Sequence, residues 1–90
     1  MILTETELTL IEERVNAART NPWRSFVENR DFTGGSSFIM VGEEHNRLTD
    51  IELIGATEAD QDFIANARQD IPKLINEIRR LKKIIGNSRS

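Results

Sequence analysis

The chain contains no cysteine and no tyrosine, and its 90 residues include only two prolines, one tryptophan and one histidine. The lack of cysteine excludes a disulfide scaffold, a cysteine-ligated zinc site and a thiol enzyme. No apolar run approaches the roughly 20 residues of a membrane-spanning helix. The N-terminus has no basic region followed by an apolar stretch, so we expect no signal peptide. From these absences we expect a small soluble domain in the cytoplasm, without a membrane partner.

The charges are distributed unevenly along the chain. Lysine and arginine number 12 against 15 acidic residues, which gives a net charge of -3, and hydrophobic residues make up 38%. Residues 1–30 carry a net charge of -1, residues 31–72 of -7, and residues 73–90 of +5. An acidic body with a basic end can bind an anion locally or bind the acidic body of a second copy. The low hydrophobic content favours a core that is shared between copies.

The first two thirds of the sequence predict a helix and then extended structure. Thr4 and Glu7 have the spacing of a capping box, and one helical face is apolar at Leu8, Ile11, Val15 and Ala18. Residues 23–54 hold three short runs of strand-forming residues, separated by two loops rich in glycine and polar residues. This pattern predicts a three-stranded antiparallel meander.

The last third predicts two helices. Thr57 can cap the first, whose apolar face would include Phe63, and Asp70 can cap the second, with Pro72 in its first turn. Gly86 is expected to end the second helix. The predicted fold class is therefore α+β, with both C-terminal helices packed on the sheet. Residues 1–86 would form a single domain, and residues 87–90 a frayed tail.

The second of these helices has an apolar stripe with the 3-4 spacing of a coiled coil. Its members are Ile71, Leu74, Ile78, Leu81 and Ile85, and Ile75 and Ile84 widen it. Two interpretations stay open: the stripe only covers the sheet, or it also forms an interface between copies. So many large aliphatic residues favour a homo-oligomer, a dimer or a multiple of dimers, that associates through the C-terminal helix.

No motif indicates catalysis. His45 stands in a loop without a second imidazole, so a solvated histidine is favoured over a general base or a metal ligand. The loop at residues 33–37 has neither the lysine and spacing of a P-loop nor the pattern of a nucleophile elbow, and a glycine turn is the simpler interpretation. We therefore expect no enzyme, no metal and no cofactor.

The cations suit a nucleotide better than duplex nucleic acid. A net charge of -3 opposes binding to a duplex, which requires an extended basic surface. Nine of the twelve cations are arginines, and four aromatic residues lie in or near the predicted sheet: Trp23, Phe26, Phe32 and Phe38. Two or three arginines and one stacking aromatic side chain can bind a nucleotide.

Several stretches resemble a group of small phage and prophage proteins. They are residues 4–14, the Asn-Pro-Trp at 21–23, Arg30-Asp31 before a Gly/Ser loop, the Phe-Ile-Met at 38–40, and residues 55–72, which end in Ala-Arg-Gln-Asp-Ile-Pro. Within that group the chain most resembles the Thoeris anti-defence sponges. Those phage proteins bind the cyclic ADP-ribose isomers of bacterial TIR enzymes without cleaving them. They are homo-oligomers with ligand pockets between protomers, and some also hold cyclic oligonucleotides.

The resemblance implies a phage anti-defence protein that sequesters a cyclic nucleotide immune signal in the cytoplasm of an infected bacterial host. The residues that we expect to bind the ligand are Arg30, Phe38, Asn46, Arg47, Arg68 and Arg79, with Asn46 at a polar edge of the ligand. The alternative is a protein-interaction module, an immunity or inhibitor protein that acts through the acidic loops of residues 43–62. A third, weaker hypothesis is a metal-dependent hydrolase centred on His45.

Overall fold

The computed structural model describes residues 2–88, with the backbone alone for residues 87 and 88. The order of elements is helix α1 (Glu5–Ala17), strand β1 (Trp23–Phe26), strand β2 (Phe38–Val41), a 3-10 helix (Glu44–Asn46) and helix α2 (Glu58–Ser88). This order confirms the α+β class. Among the described residues, no helix has both the length and the hydrophobicity needed to cross a membrane.

The chain divides into two compact units. Unit 1 comprises Met1–Ala18 and Asp70–Ser90, and unit 2 comprises Arg19–Gln69. Unit 1 therefore contains α1 and the part of α2 from residue 70 onward. Unit 2 contains both strands, the 3-10 helix and residues 58–69 of α2.

In unit 1, α1 begins with the predicted capping box. The backbone N–H of Glu7 donates to the Thr4 hydroxyl at 3.1 Å, and the backbone N–H of Thr4 donates to the Glu7 carboxylate at 3.4 Å. Leu8 is buried, as is Ile75 of α2. Arg79 donates to the carboxylates of Glu5 and Glu12, which lie about two turns apart on the same side of α1. The helix α1 therefore lies beside the C-terminal part of α2.

Unit 2 is built on a two-stranded antiparallel sheet. Trp23 pairs with Val41 at one end of the two strands, and Phe26 pairs with Phe38 at the other. The buried apolar side chains of this unit are Val27, Ile39, Met40, Val41 and Ala65. Four of the five lie on β2 or directly after β1. Three of these four, Val27, Ile39 and Val41, are β-branched, and such side chains pack well on a pleated sheet.

The third predicted strand is reduced to one bridge. Ile51 and Ile39 exchange two backbone hydrogen bonds, of 2.8 and 2.9 Å, and the sheet among the described residues has two strands. The chain turns away soon afterwards at Gly55, which has a φ of 81°. A positive φ is incompatible with an extended strand, so an extended segment after Ile51 cannot continue through Gly55.

The two predicted C-terminal helices are a single helix, which corrects the expected break at Asp70 and Pro72. Pro72 lies inside α2, which runs for 31 residues. A proline in a helix interior removes one backbone hydrogen bond and costs about 3 kcal/mol. Pro72 is the only proline in α2, so the helix has this cost at one position. The helix also passes Gly86 and ends at Ser88, so residues 87 and 88 of the predicted tail are helical, and residues 89–90 lie outside the described residues.

Candidate ligand-binding surface

Three phenylalanines of unit 2 form a half-buried group, the aromatic cluster of Phe26, Phe32 and Phe38. The rings of Phe26 and Phe38 stack with centroids 5.3 Å apart and planes 17° apart. They meet because the two residues are paired across the sheet. The ring of Phe32 is tilted by 56° to that of Phe38, with centroids 5.6 Å apart. The cluster thus presents aromatic surface at one end of the sheet.

Arg47 covers part of this cluster. Its guanidinium carbon lies 5.3 Å from the centroid of the Phe38 ring, within the range of a cation–π interaction. The same guanidinium donates to both carboxylate oxygens of Asp50, at 3.1 and 2.6 Å, and this hydrogen bonding raises the pKa of Arg47. Asn46 precedes it in the chain and is exposed. The structure therefore brings together Phe38 and Arg47 and places Asn46 beside Arg47.

Arg30 is held by two carboxylates. It forms two hydrogen bonds with Asp62, of 2.8 and 3.0 Å, and two with Asp31, of 3.1 and 2.9 Å. Hydrogen bonding from Arg30, with a further contribution from Ser25, lowers the pKa of Asp62 to about 2. Hydrogen bonds from Arg30 and from the Val27 N–H also lower the pKa of Asp31. The charge of Arg30 is thus offset twice within unit 2.

The remaining two predicted arginines contact other parts of their own units. Arg68 of unit 2 donates through Nε to the backbone carbonyl of Arg19 at 2.8 Å. Arg79 of unit 1 donates to Glu5 at 2.7 Å and to Glu12 at 3.1 Å, and hydrogen bonding to Glu5 is the main reason that its pKa is raised. Both side chains therefore have partners that stabilise the fold locally.

Two glutamines of α2, which the sequence analysis missed, attach the helix to the sheet. Gln61 is only 5% exposed and donates to the carbonyls of Phe26 and Phe38 and to the Ser25 hydroxyl. Gln69 accepts from the backbone N–H of Trp23 at 2.6 Å and donates to its carbonyl at 3.0 Å. The signal in the sequence was the spacing of four between Gln61, Ala65 and Gln69, which places all three on one helical stripe.

Phe63, expected on the buried face of this helical segment, is instead 75% exposed. The stripe that faces the sheet is the small and polar one. Phe26 and Phe32 were noted as aromatic but not selected, because their meeting depends on the strand register, which the sequence does not reveal. Shallow grooves of the surface include one along α1, lined by Leu3, Glu7, Leu10, Ile11 and Arg14, which contains none of the predicted site residues.

The part of the chain that the structure describes contains no group of three or more histidines and carboxylates arranged to hold a metal ion. Comparison of the chain with protein-family models, with curated proteins and with solved structures finds no match in any of the three. The chemistry of the surface itself is therefore the basis for a functional proposal.

Proposed function

We propose that the protein binds and sequesters a cyclic nucleotide signal, such as a cyclic ADP-ribose isomer or a cyclic oligonucleotide, without cleaving it. This is the anti-defence function of the phage family that the sequence resembles. The observation that carries the proposal is the position of Arg47 over Phe38 within the aromatic cluster. A cation beside stacked aromatic rings offers a nucleotide both of the contacts that it needs, a charge partner for phosphate and a surface for the base.

In this proposal Arg47 exchanges one anion for another when the ligand binds. Its ion pair with Asp50 joins side chains that are 45% and 31% exposed. Exposed ion pairs contribute little to stability, so a ligand phosphate can take the place of Asp50 without a large loss. The base would then stack on the free aromatic surface of Phe26 or Phe32, and Asn46 would lie at the polar edge of the ligand.

The other predicted arginines contribute less in this proposal. Arg30 would have to leave two carboxylates, one of which it binds with two hydrogen bonds. Asp31 and Asp62 would then repel an approaching phosphate. We therefore assign ligand binding chiefly to Phe38 and Arg47, and assign Arg30 and Arg68 to the architecture of unit 2.

The test compares two arginines that are each exposed and each paired with one carboxylate three residues away, Arg47 with Asp50 and Arg80 with Glu77. Purified protein is titrated calorimetrically with cyclic ADP-ribose isomers and cyclic oligonucleotides. It is then heat-denatured, and the released ligand is identified by mass spectrometry. We expect Arg47→Gln to weaken binding at least about tenfold and Arg80→Gln to leave it unchanged. Absence of binding to every nucleotide, or recovery of an altered product, contradicts the proposal.

Self-association belongs to the same proposal. We propose a homo-oligomer, a dimer or a multiple of dimers, that forms through the C-terminal part of α2, where Leu74 is 61% exposed and Leu81 41%. Burying such side chains between copies adds the core that a short chain lacks. Light scattering of the wild-type protein at the monomer mass of 10.3 kDa would contradict this part.

A second candidate function is a protein-interaction module, an inhibitor or immunity protein. The observation in its favour is Ile54, which is fully exposed between Glu52 and Glu58, both also exposed. An apolar side chain flanked by acidic residues is typical of the centre and rim of a protein interface. A protein captured from an infected host by the wild-type chain and by Arg47→Gln, but lost with Ile54→Asp, would favour this function over nucleotide sequestration.

A further inference from the structure

Much of the apolar stripe of α2 is exposed. Within unit 1, Ile75 of α2 is buried, and Arg79 and Lys82 donate to Glu5 of α1. The coiled-coil stripe lies beside these residues, with Ile78 half-buried and with Leu74 61%, Leu81 41% and Ile85 50% exposed. Unit 1 therefore has a large apolar surface that its own two helices do not cover.

The helix α1 extends this surface. At about 100° per residue, Glu5 and Glu12 lie on one side of the buried Leu8 and Ile11 lies on the other, with Leu10 further round the helix beyond Ile11. On α2, Arg79 lies on one side of the buried Ile75, and the stripe lies on the other. Because Arg79 binds Glu5 and Glu12, those polar sides coincide. The opposite sides must coincide as well, and they form the apolar face of unit 1, composed of Leu10, Ile11, Leu74, Ile78, Leu81 and Ile85.

We propose that the apolar face of unit 1 binds the same face of a second copy, so that α1 packs antiparallel on α1 and α2 antiparallel on α2 in a symmetric dimer with a four-helix interface. This inference deepens the self-association part of the proposed function, which involves α2 alone. It is independent of the identity of the ligand.

The charges that flank the face on α1 are self-complementary. Glu7 and Arg14 line the same groove as Leu10 and Ile11, one turn to either side of them. In an antiparallel arrangement with its twofold axis between Leu10 and Ile11, Glu7 of each copy meets Arg14 of the other. Within residues 2–88, Arg14 has no acidic partner, and Glu7 uses one carboxylate oxygen for the 3.4 Å capping-box bond from the Thr4 N–H, which leaves its other oxygen for Arg14 of the second copy.

The charges of α2 do not set a direction. Asp70 and Glu77 lie at the edge of the stripe away from Ile75, and Glu77 already binds Arg80 of its own helix. The antiparallel direction therefore follows from Glu7 and Arg14, and the twofold axis that relates α1 to α1 also makes α2 antiparallel to α2. The partner that these charges specify is a second copy of this chain.

The experiment measures the dimer dissociation constant of the full chain by sedimentation, with circular dichroism to check that each variant is folded. We expect Leu10→Glu on α1 and Leu81→Glu on α2 each to weaken the dimer by at least about a hundredfold. The matched controls are Thr9→Glu and Asn76→Glu, which place the same charge on the exposed polar sides of the same two helices. The controls should remain dimeric.

A charge exchange tests the packing of α1 on α1 without disturbing apolar residues. Glu7→Arg and Arg14→Glu should each weaken the dimer about tenfold, and the double variant should restore most of the loss. Glu7→Arg also removes the capping-box carboxylate, which Arg14→Glu does not replace, so restoration in the double variant identifies the contact between copies as the cause. A monomeric wild-type protein overturns the inference together with the self-association part of the proposed function. If Leu81→Glu dissociates the dimer but Leu10→Glu and the charge variants do not affect it, only the contribution of α1 is overturned.

Nucleotide titration of the same variants separates the two proposals. A dimer with the predicted sensitivity to Leu10→Glu and to the charge exchange supports this inference even if it binds no nucleotide, a result that contradicts the proposed ligand alone. If Thr9→Glu dissociates the dimer as readily as Leu10→Glu, the assignment of the face is overturned.

Discussion

The side-chain amide of Gln61 donates to the backbone carbonyl of Phe38 at 3.2 Å, and the same nitrogen reaches the carbonyl of Phe26 at 3.2 Å. These two carbonyls belong to residues that face one another across the sheet. One buried amide group therefore holds both strands at the end where the aromatic cluster stands.

Replacement of Gln61 by leucine should destabilise unit 2. The carbonyls of Phe26 and Phe38 and the Ser25 hydroxyl would each lose the hydrogen bond from this amide, which contributes about 0.5–1.5 kcal/mol. We expect the free energy of unfolding to fall by about 1–3 kcal/mol in urea titrations. Asn76→Leu, the matched change at an exposed site of the same helix, should alter it by less than about 0.5 kcal/mol. Equal stability of the two variants would show that the Gln61 contacts contribute nothing.

The contact between Arg30 and Asp62 predicts a loss of stability in acid. The pKa of Asp62 is lowered to about 2 in the folded chain, against 3.8 for an ordinary aspartate. The unfolded chain therefore binds a proton first, and the contribution of Asp62, complete above about pH 5, is lost as the pH falls toward 2. Asp62→Asn should be less stable than wild type at pH 7, and this difference should shrink at pH 2.5. Urea midpoints at the two pH values check the prediction.

The exposed acid Glu13 provides the control for the pH experiment. Glu13→Gln should give urea midpoints close to those of the wild type at both pH values, because exposed charges contribute little to stability. A difference between Asp62→Asn and wild type that is the same at pH 7 and pH 2.5 would contradict the assigned role of the Arg30 contact.

Gly42 should tolerate alanine less well than Gly55. Both have a positive φ, of 89° and 81°, which costs any other residue about 1 kcal/mol. At Gly42 a Cβ atom would also lie 2.8 Å from the backbone carbonyl oxygen of Asn46, whereas at Gly55 no atom lies within 4 Å. We expect Gly55→Ala to lower the free energy of unfolding by about 1 kcal/mol and Gly42→Ala by about 3 kcal/mol or more. Equal effects would show that the 3-10 helix moves freely.

Two threonines of α1 should respond to alanine with opposite signs. Thr4 is the N-cap, and losing its hydroxyl should cost about 1 kcal/mol. Thr9 lies exposed inside the helix, where alanine has the higher helix propensity, so Thr9→Ala should stabilise by a few tenths of a kcal/mol. Thermal unfolding followed by circular dichroism distinguishes the two signs. Destabilisation by both changes would exclude a capping role specific to Thr4.

The features that the sequence predicted correctly depend on neighbours in the chain. The capping box of Thr4 and Glu7 and the buried position of Leu8 require only helical spacing, and both are confirmed. Asp70 and Pro72 also suit a helix start, but the same residues fit a continuous helix with one missing hydrogen bond. A local pattern does not distinguish these cases, because contacts elsewhere in the fold determine whether the helix continues.

For the candidate site, the sequence predicted some of the residues but only part of their arrangement. Phe38 and Arg47 are close in the chain, and the structure places one over the other. The ion pair of Arg47 with Asp50 joins residues three positions apart in a segment that is not helical, and the sequence analysis did not predict it. The pairing of Arg30 with Asp62 joins residues 32 positions apart, so only the folded chain reveals that its charge is already offset. Arginine content alone therefore overstates the charge that a ligand would meet.

The attachment of α2 to the sheet through Gln61 and Gln69 has a consequence for precision. A helix held by hydrocarbon contacts can slide by part of a turn with little change in energy, because such contacts have no direction. Amide groups bonded to specific carbonyls and N–H groups of Phe26, Phe38 and Trp23 lose their partners after a shift of about 1 Å. The polar stripe thus fixes residues 58–69 of α2 in one register along the sheet. The large apolar side chains of α2 are not needed for this attachment.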